Sequence, residues 1–227
     1  MGSIARVQSN QGVVGTPSTP LTATLTNPVT PGNVVVALVA GANGAISAAD
    51  HFSLVTTDDA QGDIALFAYL ATDTVHSWNF TCSGNSQWSW RIEEWSGISG
   101  TAQNVAHNST TAATSLSCSP GTTVGFAGLA IVGITTAKAG AGATLGTMSF
   151  NQGIATDITN QTSGGASGAS CDLCTGTVVI SAPQNFTSTT CTYTSSVLSD
   201  IVFAFFPEKG ALPFRPGTSI RRPLLRR

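Results

Sequence analysis

The feature that most constrains this chain is a succession of short apolar or alternating runs bounded by Gly, Pro, Asn and Asp, with almost no sustained helical periodicity. Alternation with a period of two is typical of strands with one buried face, and short continuous apolar runs are typical of strands buried on both faces. An amphipathic helix would require a period of about 3.6 residues. The sequence therefore predicts an all-β protein.

The spacing of these runs predicts how the strands are arranged. The predicted strands occupy residues 3–8, 21–26, 33–41, 51–57, 63–71, 75–82, 87–95, 114–120, 126–136, 177–182, 190–196 and 200–206. Because no helical segments separate them, two packed antiparallel sheets are favoured over a parallel α/β sheet. We expect a two-sheet, jelly-roll-like sandwich over residues 1–207, with long loops in 138–169 around one strand near residues 148–150.

Few residues of the chain are charged. Charged residues make up 9% of the sequence, against about 25% in an average soluble domain. The polar surface must therefore come from Ser, Thr, Asn and Gln. Together with 24 glycines, this composition suits β structure whose surface is covered by neighbours or exposed outside a cell.

The charges are divided between the body and the C-terminal end. Residues 1–209 carry four basic and all 11 acidic residues, a net charge of −7, whereas residues 210–227 carry five arginines and no acid, a charge of +5. Four prolines between positions 207 and 223 exclude a continuous helix or a central strand. We therefore predict an extended basic arm over residues 208–227.

Apolar residues alternate with arginines along this arm, which is typical of a segment that orders on a partner, although a disordered tail is the alternative. Other protein subunits, including copies of the chain itself, are the favoured partners because arginine pairs with carboxylates. Nucleic acid is disfavoured because the body is acidic and shows no recognition helix. The residues expected to contact the partner are Leu212, Phe214, Arg215, Ile220, Arg221, Arg222, Leu224, Leu225, Arg226 and Arg227.

Targeting signals and metal-site spacings are not evident. Residues 1–12 lack the apolar stretch of a secretory leader, and no apolar run approaches the roughly 20 residues of a spanning helix. Production in the cytoplasm and no membrane insertion are therefore expected.

The cysteines do not show the spacing of a zinc site. Zinc would need a fourth ligand beside the three cysteines of residues 171–191, so thiols or a local disulfide are favoured. No metal or cofactor is predicted. The five cysteines are Cys82, Cys118, Cys171, Cys174 and Cys191.

No catalytic set emerges from the carboxylates. Residues 58–59 and 93–94 are acidic pairs, but adjacent residues of a strand point to opposite faces. Neither pair can then place two acids about 5–10 Å apart across a glycosidic bond. A cross-strand pair of Glu93 with Asp63 is the alternative that would support a β-sandwich glycoside hydrolase.

The tryptophan-rich run at residues 87–95 has two interpretations. Alternation places Trp88, Trp90 and Ile92 on one face and Trp95 on the other. Exposed, Trp88, Trp90 and Trp95 would form a platform on which sugars stack. The core interpretation is favoured because Ile92 shares the face of Trp88 and Trp90, and because tryptophans bury large areas.

Two short motifs resemble a module of bacteriophage virion proteins. They are the turn and strand at residues 28–36 (PVTPGNVVV) and the strand end at 92–98 (IEEWSGI), preceded by the start SIARVQSNQG. The module is similar to a concanavalin-like jelly roll. The resemblance implies a non-enzymatic protein in which the Glu of the second motif is structural. The end FRPGTSIRRPLLRR is similar to arms on structural proteins of long-tailed phages that infect actinobacteria.

These observations favour a virion structural protein, either a minor tail protein or a capsid decoration protein. It would be assembled in the host cytoplasm as a homo-oligomer and anchored by its basic arm. The alternative is a carbohydrate-binding, lectin-like module for attachment to the host surface, acting through the tryptophans and the 138–169 loops.

Overall fold

The computed structural model describes most of the chain and confirms an all-β, antiparallel sandwich. The described residues are 3–41, 45–58, 63–82, 86–124, 126–136, 145–162, 171–182 and 184–211. No helix occurs in these segments, and accordingly none of them contains a helix long and apolar enough to cross a membrane. The predicted arm contacts, from Leu212 to Arg227, lie outside the described residues.

The first half of the chain forms eight strands. They are β1 (Ala5–Ser18), β2 (Leu21–Thr24), β3 (Val34–Gly41), β4 (Ile46–Ser47), β5 (Ser53–Asp58), β6 (Asp63–Leu70), β7 (Ser77–Cys82) and β8 (Ser86–Ser96). The first main sheet has the order β1-β8-β3-β6-β5, and β2-β7-β4 form a small sheet against its outer face.

The second half of the chain repeats this arrangement with one exception. Its strands are β9 (Gln103–Cys118), β10 (Thr122–Val124), β11 (Gly128–Thr136), β12 (Met148–Phe150), β13 (Ala155–Thr162), β14 (Asp172–Ile180), β15 (Gln184–Phe186) and β16 (Thr189–Pro207). The second main sheet runs β9-β16-β11-β14-β13, and β10 pairs with β15 as β2 pairs with β7. The two halves differ at β12, which pairs with β16, whereas β4 pairs with β7.

Individual residues correspond between the halves. Asn-Phe-Thr occurs at residues 79–81 and again at 185–187. Phe80 and Phe186 are both fully buried, and each pairs with the first residue of the short strand beside it. Asp63 and Asp172 both begin equivalent strands and are both buried. The pattern of predicted strands does not indicate this internal duplication.

The two main sheets pack face to face and are covered on their outer faces as well. A central core lies between them, and an outer core lies beyond each. Strands β3 and β11 are consequently buried along their whole length. Burial on both faces explains why their sequences are continuous apolar runs rather than alternating ones. Representative residues of the central core are Val36, Leu38, Leu66, Ile131, Leu173 and Val202.

The predicted strands lie within observed ones or overlap them, and most differences occur at the sheet edges. Residues 190–196 and 200–206 belong to one strand, β16, and β1 and β9 extend well beyond their predicted parts. Strand β13 occupies part of the segment expected to form loops. Edge strands such as β1, β9 and β13 are rich in Ser, Thr, Asn and Gln, so their backbone pairing creates no apolar pattern.

Candidate functional site

The three tryptophans proposed as a sugar platform are buried. Trp88, Trp90 and Trp95 are 0%, 8% and 3% exposed. Trp88 and Trp90 lie with Ile92 in the outer core, and Trp95 faces the central core, so the predicted division between faces is confirmed. We correct the platform interpretation, because a sugar ring could stack on these indoles only if the sandwich opened.

Glu93 lies at the centre of a polar cluster between the two main sheets. Its Oε1 accepts hydrogen bonds from Nε of Arg91 and, at 3.1 Å, from Nη1 of Arg6. Its Oε2 accepts a 2.7 Å hydrogen bond from Nε1 of Trp95. Because the side chain of Glu93 is only 5% exposed and both oxygens accept from donors of the first main sheet, this carboxylate positions Arg6 and Arg91 and is not open to a substrate.

The second half of the chain completes this cluster. Nη2 of Arg6 donates a 2.8 Å hydrogen bond to Asp157, whose other oxygen accepts a 2.6 Å hydrogen bond from Oγ1 of Thr177. The Arg6 guanidinium also lies 5.3 Å from the centre of the Trp95 ring, within the range of a cation–π contact. Partial burial would lower the pKa of Arg6, but Glu93 and Asp157 outweigh it and raise that pKa.

The alternative acid pair of Glu93 with Asp63 is not formed. On β3 the register places Glu93 beside Val36 and Asp63 beside Gly41. Five residues of strand correspond to about 17 Å, which exceeds the separation that glycosidase chemistry uses. Asp58, from the other acidic pair of the sequence, is also buried, and its Oδ2 lies 2.9 Å from Nδ1 of His107.

Glu94 joins the two motifs on which the resemblance depends. Its fully buried carboxylate accepts hydrogen bonds from the backbone N–H of Thr30 (2.9 Å) and the side-chain amide of Asn33 (2.6 Å). A third, at 2.6 Å, comes from Nε2 of Gln8. Burial would raise the pKa of Glu94, but these hydrogen bonds outweigh it and lower that pKa. Glu94 therefore fixes the turn that precedes β3.

The predicted arm begins beside this turn. Glu208 forms an isolated bridge with Ile98, and the amide of Lys209 donates a 2.8 Å hydrogen bond to the carbonyl of Gly97. The Lys209 amine lies 3.4 Å from the carbonyl of Gly32. Gly32 and Gly97 have φ values of +92° and +78°, which favour glycine. The two glycine turns thus hold residues 208–209 at one end of the sandwich.

Two clefts lie near His51. One, of about 430 Å³, is polar and is lined by residues that include Asp50, Ser77, Trp78 and Asn79. The other, of about 740 Å³, is a groove whose walls include Leu54, Leu70, Tyr69 and Val105. These surfaces were missed by the sequence analysis, because their walls come from strands and loops far apart in the chain.

The cysteines are thiols, and they do not gather into a metal site. Cys171 belongs to the central core and Cys174 to the outer core of the second half, so the two side chains lie on opposite faces of the sheet. Burial raises the pKa of Cys118 and that of Cys191 to about 12. Within the described segments, no three His, Cys, Asp or Glu residues form a group that could hold a metal ion.

Comparisons with protein-family models, with curated proteins and with solved structures found no match. The resemblance to phage virion modules therefore stays a prediction.

Proposed function

We propose that the chain is a non-enzymatic structural protein of a bacteriophage particle, either a minor tail protein or a capsid decoration protein. The β-sandwich forms the body, and the basic arm anchors it to acidic virion proteins or to further copies. It would be assembled in the host cytoplasm and located in the virion.

One observation carries this proposal: the main sheets are complete before the basic arm begins. The last strand ends at Pro207, and all five arginines of residues 210–227 follow it. An oppositely charged segment that the sheets do not need is available for a partner. The acids that could have supported a glycosidase, Glu93 and Asp63, are buried and far apart.

We further propose that each half is a jelly roll. In the first half, β1, β8, β3 and β6 share one sheet while β2, β7 and β4 share another, and β5 departs from this alternation because it pairs with β6 in the first sheet. Alternation of successive strands between two antiparallel sheets is the arrangement expected of paired Greek keys.

The test compares the full chain with a truncation after Ala211. This end point keeps the Lys209 and Ala211 backbone hydrogen bonds to Gly97 and Glu208. Light scattering at low and high salt should give a salt-sensitive oligomer for the full chain and a folded monomer for the truncation. A truncation that unfolds, or that assembles like the full chain, would contradict the division into body and arm. Virion location is tested by mass spectrometry of purified particles from the host.

The polar cleft supports carbohydrate binding as a second candidate function. Its lining includes Asp50, His51, Asn79 and Thr81, and a few polar groups around a concave surface are typical of small-ligand sites. A glycan array of the purified chain tests this. Binding that Asn79→Ala abolishes and Asn185→Ala retains would support it, since Asn185 is the equivalent residue of the second half.

A further inference from the structure

The base of the arm and the apolar groove lie at the same end of the sandwich. Strand β16 ends at Pro207, whose carbonyl accepts a 2.7 Å hydrogen bond from the amide of Ser99, and Glu208 pairs with Ile98. Residues 100–102, the next along the chain, line the groove. The chain therefore leaves the body of the protein beside the groove.

A second contact brings the arm close to another wall of the groove. The Lys209 amine lies 3.4 Å from the carbonyl of Gly32, and the amide of Gly32 donates a 2.8 Å hydrogen bond to the carbonyl of Ala71. Ala71 lies between Leu70 and Thr72, which both line the groove. In the order of the sheet, only β3 separates β8, which ends beside Lys209, from β6, which carries this wall.

A turn at residues 208–211 reverses the chain before the rest of the arm. The amide of Ala211 donates a 3.0 Å hydrogen bond to the carbonyl of Glu208, and Gly210 has a φ of +84°, which favours glycine. Before this turn, the chain runs antiparallel to residues 97–99. After it, the chain at Ala211 points along the direction of residues 97–99, which leads to the groove residues 100–102.

The groove itself is apolar and uncharged. Leu54, Leu70 and Val105 line it and are 52%, 47% and 46% exposed, and they make up half of the large apolar side chains that are exposed within the described residues. None of the described residues that line it is Asp, Glu, Lys or Arg. Apolar side chains gathered in one groove mark a binding surface, and this one is suited to apolar rather than cationic side chains.

The equivalent place in the other half of the fold is closed by polar side chains. The groove lies where β5 contacts β9, and β13 contacts β1 in the corresponding way. There Asp157, the extra residue of a β-bulge, binds Arg6 and Thr177. At the groove the bulge residue is Val55, and Ala68 takes the place of Thr177. Apolar residues thus replace the polar bridge and leave room for another apolar segment.

We propose that this groove binds the start of the arm of the same chain, with the side chains of Leu212 and Phe214 against its apolar walls. These two residues follow Ala211 and, with Pro213 between them, form an uncharged segment that matches the uncharged walls. Neighbouring strands lie about 5 Å apart, and three extended residues span roughly 10 Å. The segment is therefore long enough to cross β3 and reach β6.

The placement of the arm base favours the same chain over a second copy. Lys209 is held between Gly97 and Gly32, so residues 212–214 begin only a few residues from their own groove. A segment tethered this closely has an effective concentration of about a millimolar. The arm of a second copy would have to compete with it.

Docking of this segment sets where the arginines lie. All five follow within residues 215–227, beyond the docked segment, where they remain available to an acidic partner. The inference rests on the proposed function for this last step alone, because the docking itself requires no second molecule.

Limited proteolysis of the full chain tests the docking. Chymotrypsin cleaves after Phe214 only when that side chain is released, and cleavage after Leu225, farther along the arm, serves as the internal reference. The variant is Leu70→Arg, and the matched control is Val179→Arg, since these two residues occupy equivalent positions and are 47% and 46% exposed.

The expected result is a difference between the variants at one cleavage site. Because cleavage tracks the population of the released state, Leu70→Arg should speed cleavage after Phe214 by about tenfold, and Val179→Arg should leave it within about twofold. Cleavage after Leu225 should be alike in all three proteins. Equal effects of the two variants after Phe214, or cleavage there in the wild type as fast as after Leu225, would overturn the proposal.

Cross-linking distinguishes the same chain from a second copy. A photoreactive residue at position 214 is placed in heavy-isotope-labelled full chain, which is mixed with unlabelled chain. The docking predicts links to residues 53–55, 68–72 or 100–105 of the labelled copy itself. Links to unlabelled chain, links to another surface, or no links would overturn it. If the truncation after Ala211 still loses assembly in that case, the proposed function survives without the docking.

The converse result is equally distinct. If the links form within one copy but removal of the arm changes neither assembly nor incorporation into particles, the docking stands and the proposed function fails.

Discussion

Asn33 donates a 2.6 Å hydrogen bond from its side-chain amide to the buried carboxylate of Glu94, 61 positions along the chain. The same oxygen accepts from the backbone of Thr30. The turn before β3 and the end of β8 are thus one unit, and Gly97, which holds Lys209, follows directly. The base of the arm therefore depends on the geometry that this carboxylate fixes.

Replacement of Glu94 by alanine should destabilise the fold by about 1.5–3 kcal/mol, because it removes a buried carboxylate that accepts part-buried hydrogen bonds from the Thr30 amide and from the Asn33 and Gln8 side chains. Urea denaturation at neutral pH measures this. Glu208→Ala, at a half-exposed position, serves as the control and should cost well under 1 kcal/mol. Equal losses in the two variants would contradict the role given to Glu94.

The contribution of Glu94 should also depend on pH. Its pKa in the folded protein lies below the ordinary 4.5, so the unfolded chain takes up the proton first as the pH falls. The stabilisation is fully present above the ordinary value and is lost as the pH falls through the folded-state value. The difference between wild type and Glu94→Gln should therefore shrink in acid. A difference that grows on acidification would refute this assignment.

Gly97→Ala should destabilise the protein more than Gly153→Ala. Both glycines have positive φ, +78° and +73°, so alanine costs about 1 kcal/mol of backbone strain at each. At Gly97 the added Cβ would also lie 2.8 Å from the carbonyl oxygen of Ser3, whereas at Gly153 nothing lies within 4 Å. Thermal unfolding of both variants isolates this contact, and equal melting temperatures would argue against it.

Much of the sandwich follows from local sequence, but its duplication does not. The run at residues 33–41 is apolar enough to identify a strand buried on both faces, and alternation correctly separates Trp90 from Trp95. The two halves, however, share few residues. Asn-Phe-Thr at 79–81 and 185–187 is the local signal that could have revealed the repeat.

The groove and the polar cluster could not be read from local sequence. Leu54, Leu70 and Val105 meet only through the packing of β5, β6 and β9. Likewise, the Arg6–Asp157 contact joins positions 151 residues apart. Periodicity reports which face of a strand a side chain occupies, but the partner of that face is set by the packing of the two sheets.

Glu93→Gln should destabilise the fold by about 1.5–3 kcal/mol. It removes the nearer anionic partner of Arg91, whose side chain is 8% exposed, and leaves the carboxylate of Asp157, at 3.8 Å, as the remaining anionic neighbour. The contrast is His107→Asn on β9, where β9 contacts β5. The side chain of His107 is 58% exposed, and the loss should stay below about 1 kcal/mol. Chemical denaturation that ranks these variants in the opposite order would disprove the central role of Glu93.

The thiols should react in a fixed order with a thiol-specific reagent. Cys82 is half-buried, whereas Cys118 and Cys191 are buried with a pKa of about 12. Near pH 8, that pKa leaves roughly one buried thiol in ten thousand as the reactive thiolate. We expect Cys82 to be modified first in the native protein and all five cysteines to be modified rapidly in denaturant. Mass spectrometry counts the modified cysteines.

The control is a Cys82→Ser variant, which should lose the fast phase of modification alone. If Cys118 or Cys191 reacts as fast as Cys82 in native protein, the outer core of the second half is open to solvent and the packing described for it is wrong.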